Sequence, residues 1–339
     1  MARNIIKPHI YSQNIERRLK LVHRTLRWLK NMPVSRAILH KLQHVGNPSL
    51  KCTVFGINFP NPIGIAAGFD TSGRLFNGLA SVGAGFVEIG TVTDKPQAGS
   101  PKPRYFKIPA DRALINRMGH SNPGVREVIK NIRENQPARI PVFGNIGRNF
   151  DSGQERAVED IDNLYTMMYD FVDAVVINTA GLRPETLQQV VERITGIRRF
   201  NDEYRPVLLK TRPDCSDDEV AAMVETVLEN GLDGIVVCGT TLSHRGLLTK
   251  QQVLDKIGNG ELSGAPVFEN TRRLLRLVLE KGRSIVPVVV TGGIMSPEQA
   301  ATLLDEGASL VEIHTGLVYG GHKFIRRIKR HLLDREKSR

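Results

Sequence analysis

Glu88-Ile-Gly-Thr-Val-Thr-Asp-Lys-Pro-Gln-Ala-Gly-Ser-Pro-Lys-Pro-Arg104, followed by Ile115-Asn-Arg-Met-Gly119, decides the architecture. A short apolar strand breaks into a Gly/Pro loop, which hands over to a second polar turn rich in backbone donors. This is the layout of an α/β barrel, where loops at the C-terminal ends of the strands hold the chemistry. Outward from this stretch, eight apolar strand-like runs alternate with helical patterns. They are Ile63–Ala67, Phe86–Ile89, Val142–Ile146, Ala174–Ile177, Val207–Lys210, Gly234–Val237, Val286–Val290 and Leu310–Ile313. Helices are expected over Val125–Glu134, Asp160–Tyr169, Glu185–Arg199, Asp217–Glu229, Thr271–Lys281 and Pro297–Glu306. Parallel strands need crossovers and are buried on both faces, so eight such units predict a (β/α)8 barrel of the α/β class. A doubly wound open sheet is the alternative. Cys52–Phe59 reads as a hairpin turning at Gly56.

Upstream of the barrel, residues 1–48 form a separate amphipathic segment, leaving 49–339 as the barrel domain. Ile15, Leu19, Val22, Leu26 and Leu29 recur at three- and four-residue spacing and predict one helix, ending near Trp28 and stopped by Pro33. A second helix is expected from Ser35 to His44. Residues 1–48 carry ten Lys/Arg against Glu16 alone, a net of +9, and residues 322–339 carry a net of +6. With +12 overall, the body between them is slightly acidic. Basic ends suit an anionic membrane surface or nucleic acid. Nucleic acid is disfavoured because aromatic interleaving and any recognised motif are lacking. A basic amphipathic helix with Trp fits interfacial anchoring, and equally an amphipathic helix packed on its own domain.

The apolar fraction of 40% suffices for a large core. Cys52, Cys215 and Cys238 are sparse and lie far apart, which argues against a disulfide framework and fits a reducing cytoplasm. No apolar run reaches the roughly 18 residues of a membrane span, and the N-terminus lacks a signal peptide's apolar core. No metal-ligand pattern is present.

Glycine or polar residues fall at the end of nearly every expected strand: Ala67-Gly68, Gly90-Thr91, Gly144-Asn145, Asn178, Lys210, Thr291-Gly-Gly293 and His314-Thr-Gly316. Glycines let backbone N–H groups approach phosphate oxygens, and the last two loops of a barrel are its usual phosphate site. The ordered set predicts a phosphorylated cofactor.

These motifs resemble the dihydroorotate dehydrogenase family, in particular its quinone-linked, membrane-associated class, from about Asn61 to about Leu333 and more weakly through the N-terminal segment. The resemblance implies FMN as cofactor. It places Ala67, Gly68 and Thr91 along the flavin and has Asn145 and Asn178 hydrogen-bonding the ring system. Lys210 would set a positive charge by the N1–C2=O edge, and Gly264, Gly292, Gly293, Thr315 and Gly316 would surround the ribityl phosphate. The implied activity is oxidation of dihydroorotate to orotate in pyrimidine biosynthesis, with electrons passed to a quinone. The N-terminal helical pair is then the quinone-access and membrane-docking element, at the cytoplasmic face of the membrane.

On the substrate side the resemblance implies Asn116, Arg117, Met118, Gly119 and Thr240, but several positions depart from the family. Thr71 stands where the family has a lysine, and His120-Ser121 follow the Asn-Arg-Met-Gly turn in place of Phe-Asn. The loop after strand four, Thr179-Ala-Gly-Leu-Arg183, is several residues short and lacks the catalytic serine. Gly239 replaces an amide that grips orotate, and His314 replaces a tyrosine. His120, Thr179 and Cys238 are the candidates for handling the substrate proton, with His120 preferred because an imidazole ordinarily titrates near neutral pH. A paralogue acting on another substrate, or a flavin-binding protein without turnover, are the competing readings.

Overall fold

The computed structural model describes residues 21–26, 47–201 and 203–337. A hairpin, β1 (Cys52–Val54) and β2 (Ile57–Phe59), opens the barrel domain, followed by β3 (Ile63–Asp70), α1 (Phe76–Ser81) and β4 (Phe86–Val92). Two short strands, β5 (Tyr105–Ile108) and β6 (Ala113–Asn116), precede α2 (Val125–Glu134). Strand and helix then alternate through β7 (Val142–Ile146), α3 (Gln154–Met168), β8 (Ala174–Asn178), α4 (Pro184–Arg198), β9 (Val207–Lys210), α5 (Asp217–Glu229) and β10 (Gly234–Cys238). Next come α6 (Gln251–Ile257), β11 (Glu261–Gly264), α7 (Phe268–Lys281), β12 (Val288–Thr291) and α8 (Pro297–Asp305). The chain ends with β13 (Leu310–Ile313), α9 (Thr315–Gly320) and α10 (Lys323–Lys337).

Strands β3, β4, β7, β8, β9, β10, β12 and β13 close into one barrel, each parallel to its neighbours. Closure excludes the open doubly wound alternative. The reason lies in the strands: runs such as Ala174–Ile177 and Val207–Leu209 are buried on both faces, one inside the barrel and one under helices. Inside the barrel, Phe86, Phe143, Val176, Leu208, Val236 and Val289 form one cluster, and hairpin residue Phe59 packs edge-on against Phe86 and Phe143. The hairpin turns at Phe55 and Gly56, both at positive φ, as a two-residue connection requires. Outside, a larger cluster joins strands to helices. Local signals start those helices: α5 has a capping box between Ser216 and Glu219, and α8 has Ser296 at its N-cap with Pro297 behind it.

A three-stranded antiparallel sheet, β5–β6–β11, was not anticipated from the sequence. It pairs Asn116 with both Tyr105 and Glu261 and so fixes the turn that follows Asn116. The basic C-terminal segment folds as helix α10, which buries Phe324, Ile325, Ile328 and Leu333 and packs beside α8.

The expected Ser35–His44 helix lies outside the described residues, as does most of the expected helix around Ile15–Leu29. Residues 21–26 are helical, and Leu26 is buried in the main core. Its carbonyl lies against Gly78 of α1, where any Cβ would stand 2.7 Å from Leu26 O. No described helix is long and apolar enough to cross a membrane.

Candidate active site

A cavity of about 810 Å³ lies at the C-terminal ends of the barrel strands. This lies within the range of about 300–1,000 Å³ of ligand and cofactor pockets. From the cofactor set expected above, Ala67, Gly68, Thr91, Asn145, Asn178, Lys210, Gly292, Gly293, Thr315 and Gly316 line it. From the substrate set, Thr71, Asn116, Arg117, Met118, Gly119 and Thr240 line it, with His120 and Cys238. Gly264, Gly239 and Thr179 are not on the wall.

Each exception has a local cause. Gly264 sits at φ +104 behind the wall, and its neighbour Ser263 faces the cavity instead, hydrogen-bonded through Oγ to Thr315 Oγ1 at 2.8 Å. A Cβ at Gly239 would collide with Thr271, so that position has no room for a side chain. Thr179 is buried, and its hydroxyl donates to Lys210 O at 2.8 Å, away from the cavity.

The inner wall is built from strand-end side chains held by one another. Asn178 Nδ2 donates to Thr91 Oγ1 at 3.0 Å, while its Oδ1 accepts from Ala180 N–H at 3.0 Å. Asn145 Nδ2 donates to Glu88 Oε1 at 2.5 Å, and its Oδ1 is buried without a partner among the described residues. Lys210 Nζ donates to the same Glu88 Oε1 at 2.6 Å. Burial alone would lower the Lys210 pKa, but the charges of Glu88 and Glu312 outweigh it, and the pKa is raised above the usual lysine range. Lys210 therefore stays charged beneath the cavity. The sequence reading placed Lys210 on the wall but missed the two acids that hold it. A lone acid inside an otherwise apolar, doubly buried strand was the available signal.

A further side of the wall combines Gly292 and Gly293, both at positive φ, with the start of α9. Thr315 and Gly316 are the first residues of that helix, so their N–H groups lack intrahelical acceptors. Tyr319 braces this turn by donating to Ala113 O at 2.9 Å, which ties α9 to the small sheet.

Opposite, the Asn116–Gly119 turn brings His120 to the wall at φ +46. The His120 carbonyl accepts from Asn122 Nδ2 at 2.7 Å, and its ring packs 5.1 Å from that of Phe150, an aromatic the sequence reading missed. Burial and then the Arg148 charge lower the His120 pKa to about 4, so the imidazole is neutral at neutral pH. The expectation of a near-neutral pKa is corrected by these two causes. Burial pushes the Cys238 thiol up, Lys210 partly offsets that, and Sγ lies 3.3 Å from Thr240 Oγ1. The loop after β8 runs through residues 179–183 and contains no serine.

At the cavity's edge the His314 ring meets that of Phe69 at 5.9 Å, and Phe69 meets that of His23 at 5.4 Å. Burial first, then His23 and Lys210, hold His314 near pKa 4. A line of rings thus runs from helical residues 21–26 to the cavity. Among the described residues no group of three or more His, Cys, Asp or Glu could hold a metal ion.

A family model described as dihydroorotate dehydrogenase matches residues 49–335. The chain is 33% identical to the dihydroorotate dehydrogenase (quinone) of Christiangramia forsetii, covering 99% of each chain. It is 38% identical to the protein of that name from Corynebacterium efficiens, covering 90% of this chain and 82% of the relative. The crystal structure of DHODH in complex with ferulenol from Eimeria tenella superposes with a TM-score of 0.84 at 25% identity, covering 100% of this chain and 94% of that one. With the closed barrel and the strand-end wall in place, these matches assign the chain to the dihydroorotate dehydrogenase family, a class of flavin-dependent oxidoreductases.

Proposed function

We propose that this protein binds FMN and oxidises dihydroorotate to orotate, passing the electrons to a quinone. The observation that carries the reading is the wall that joins Lys210, Asn145, Asn178 and Thr91 to the Gly292-Gly293 turn before α8 and to the first residues of α9. The fit to FMN rests on its chemistry. The orphaned Asn145 Oδ1 is an acceptor for a ring N–H, and Lys210 supplies a cation for an edge that gains negative charge. The N–H groups of Gly293, Thr315 and Gly316 suit phosphate oxygens. Bound there, FMN supplies a two-electron acceptor for the substrate's hydride.

The remaining work falls to this chain's own side chains. Asn116, whose Oδ1 accepts from Met118 N–H at 3.4 Å, offers its Nδ2 to the substrate, and Asn178 and Thr240 offer further polar contacts. His120 takes the substrate proton. It is the one candidate on the wall that is a neutral base, since Thr179 is committed to Lys210 O and the Cys238 thiol is pushed up. A base held near pKa 4 is poorly matched to neutral pH, so a slow proton step follows. The quinone approaches along the His23–Phe69–His314 line, between residues 21–26 and the cavity. The basic segment 1–48 brings this side to the cytoplasmic face of the membrane.

A second reading, the same cofactor with another small substrate, is favoured by the closed position at Gly239 and the serine-free loop. Anaerobic titration of the purified flavoprotein with dihydroorotate, followed by flavin absorbance, tests both. Bleaching supports dihydroorotate. Protein that releases FMN on denaturation but never bleaches supports another substrate.

A further inference from the structure

Three ionisable side chains meet inside the barrel beneath the cavity: Glu88 on β4, Lys210 on β9 and Glu312 on β13. Both acids are fully buried. Lys210 Nζ lies 2.6 Å from Glu88 Oε1 and 3.9 Å from Glu312 Oε2. Glu88 Oε1 also takes the Asn145 amide. Glu88 Oε2 and both oxygens of Glu312 have no hydrogen-bond partner among the described residues.

One ammonium cannot offset two buried carboxylates, and removing an uncompensated carboxylate from water costs several kcal/mol. The three orphaned oxygens make the same point, because a carboxylate can only accept and no donor among the described residues reaches them within hydrogen-bond distance. A single proton on Glu312 removes the excess charge and supplies a donor for one of these oxygens. The acid becomes neutral and can offer its O–H to the Glu88 carboxylate, with which it shares Lys210. Burial and the Glu88 charge push the Glu312 carboxyl well above the usual range, with Lys210 opposing. Glu312 and Lys210 both line the cavity.

We propose that Glu312 is a positioning residue that acts through Lys210: it stores one proton beside the cofactor and so leaves part of the lysine's charge available to it. The proposal rests on the FMN reading above. When Glu312 ionises, it competes for Lys210 and adds a negative charge next to the wall. The other groups facing this cluster are Cys238 from β10, Glu261 from β11 and His314 after β13. Cys238 and His314 are neutral at neutral pH, since burial raises the thiol and lowers the imidazole. Burial likewise raises Glu261, with the Lys210 charge opposing. Glu312 is thus the group whose proton sets the charge of the Lys210–Glu88 pair.

Glu312→Gln keeps the shape and cannot lose a proton. The infrared difference between wild type and variant at neutral pH is expected to show the carbonyl band of a protonated acid in the wild type, fading as pH rises. No band means an ionised Glu312 and overturns the proposal. If the variant does not fold, 13C-labelling of glutamate in the wild type moves the same band and decides the point. The second readout is the flavin midpoint potential against pH. Over the range in which the band fades, the wild-type potential is expected to fall below that of the variant by at least a tenfold change in equilibrium constant, about 30 mV for a two-electron couple. Parallel curves overturn the link to the cofactor. The infrared band reads the proton with or without FMN, so loss of the cofactor reading, seen as no FMN released, is a separate outcome.

Discussion

Gly239, at the end of β10, and Thr271, in the first turn of α7, occupy space that only one side chain can fill: a Cβ at Gly239 would fall inside the radius of Thr271 Oγ1. The threonine hydroxyl is itself fixed, donating to Val267 O at 3.0 Å. The amide that the family resemblance calls for at position 239 is excluded by a neighbour 32 positions along the chain. Gly239→Asn should therefore destabilise the protein by about 1–3 kcal/mol, the usual cost of overpacking. It should not tighten dihydroorotate binding. Thr271→Ala in the same chain should recover part of the stability, because Cβ remains but the colliding oxygen is gone. Thermal melts and ligand titration read both effects. A Gly239→Asn protein as stable as wild type would show that the helix yields easily.

The Lys210–Glu88 pair makes a stability prediction. Lys210→Met leaves Glu88 as a buried carboxylate without its cation. Breaking such a pair costs about 3–5 kcal/mol. Adding Glu88→Gln removes the stranded charge and should return most of that loss. In any Lys210→Met protein that retains FMN, the flavin potential should drop, because a positive charge at the wall is gone. Denaturant melts of the single and double variants, with a redox titration, test this. Equal destabilisation in both variants would mean that the pair is not coupled.

The eight barrel strands were legible because burial on both faces leaves a run of Val, Ile and Leu that no solvent face interrupts, as in Ala174–Ile177. The hairpin was legible from Gly56 alone. The small sheet was not, because β11 pairs with β6 across about 150 residues, and Glu261-Leu-Ser-Gly264 has no strand pattern of its own. The site was legible where backbone and strand ends define it, as at Gly292-Gly293 and Lys210. It was not legible where distant side chains interact. Arg148 lowers His120 from a different loop, and Thr179, correctly placed after β8, turns its hydroxyl to Lys210 O.

His120 offers a pH test. With its pKa lowered to about 4, it is neutral, and able to accept a proton, at all pH values well above that. Flavin bleaching by dihydroorotate should then be flat through neutral pH and fall only as pH drops toward about 4. An unperturbed imidazole would place the fall near 6.5. Removing the Arg148 charge as Arg148→Gln should raise the His120 pKa and move the fall to higher pH. His120→Asn should slow bleaching by about 10²–10⁴-fold with FMN still bound. A fall near 6.5, or normal bleaching in His120→Asn, would take His120 out of the reaction.

The last prediction separates what residues 1–48 do for the barrel from what they do outside it. Leu26 is buried in the core and its carbonyl abuts Gly78, while the His23 ring packs, tilted, against that of Phe69. A chain beginning at Ser49 loses these contacts. Burial of one leucine stabilises by about 1.5–3 kcal/mol, so the shortened protein should be less stable by a comparable margin in denaturant melts. It should keep its FMN, since no residue proposed to hold the cofactor precedes Ala67. The net +9 charge of residues 1–48 predicts that the full chain binds anionic vesicles and is released by salt, because screening shortens the reach of that charge. The shortened chain should not bind them, and it should reduce a quinone more slowly although dihydroorotate still bleaches its flavin at the full-length rate. His23→Ala in the full chain distinguishes the two contributions. Vesicle binding should be unchanged, and only the quinone step should slow. Equal vesicle binding by the full and shortened chains would remove the membrane role. Equal quinone rates in all three proteins would move the acceptor's approach away from the His23–Phe69–His314 line.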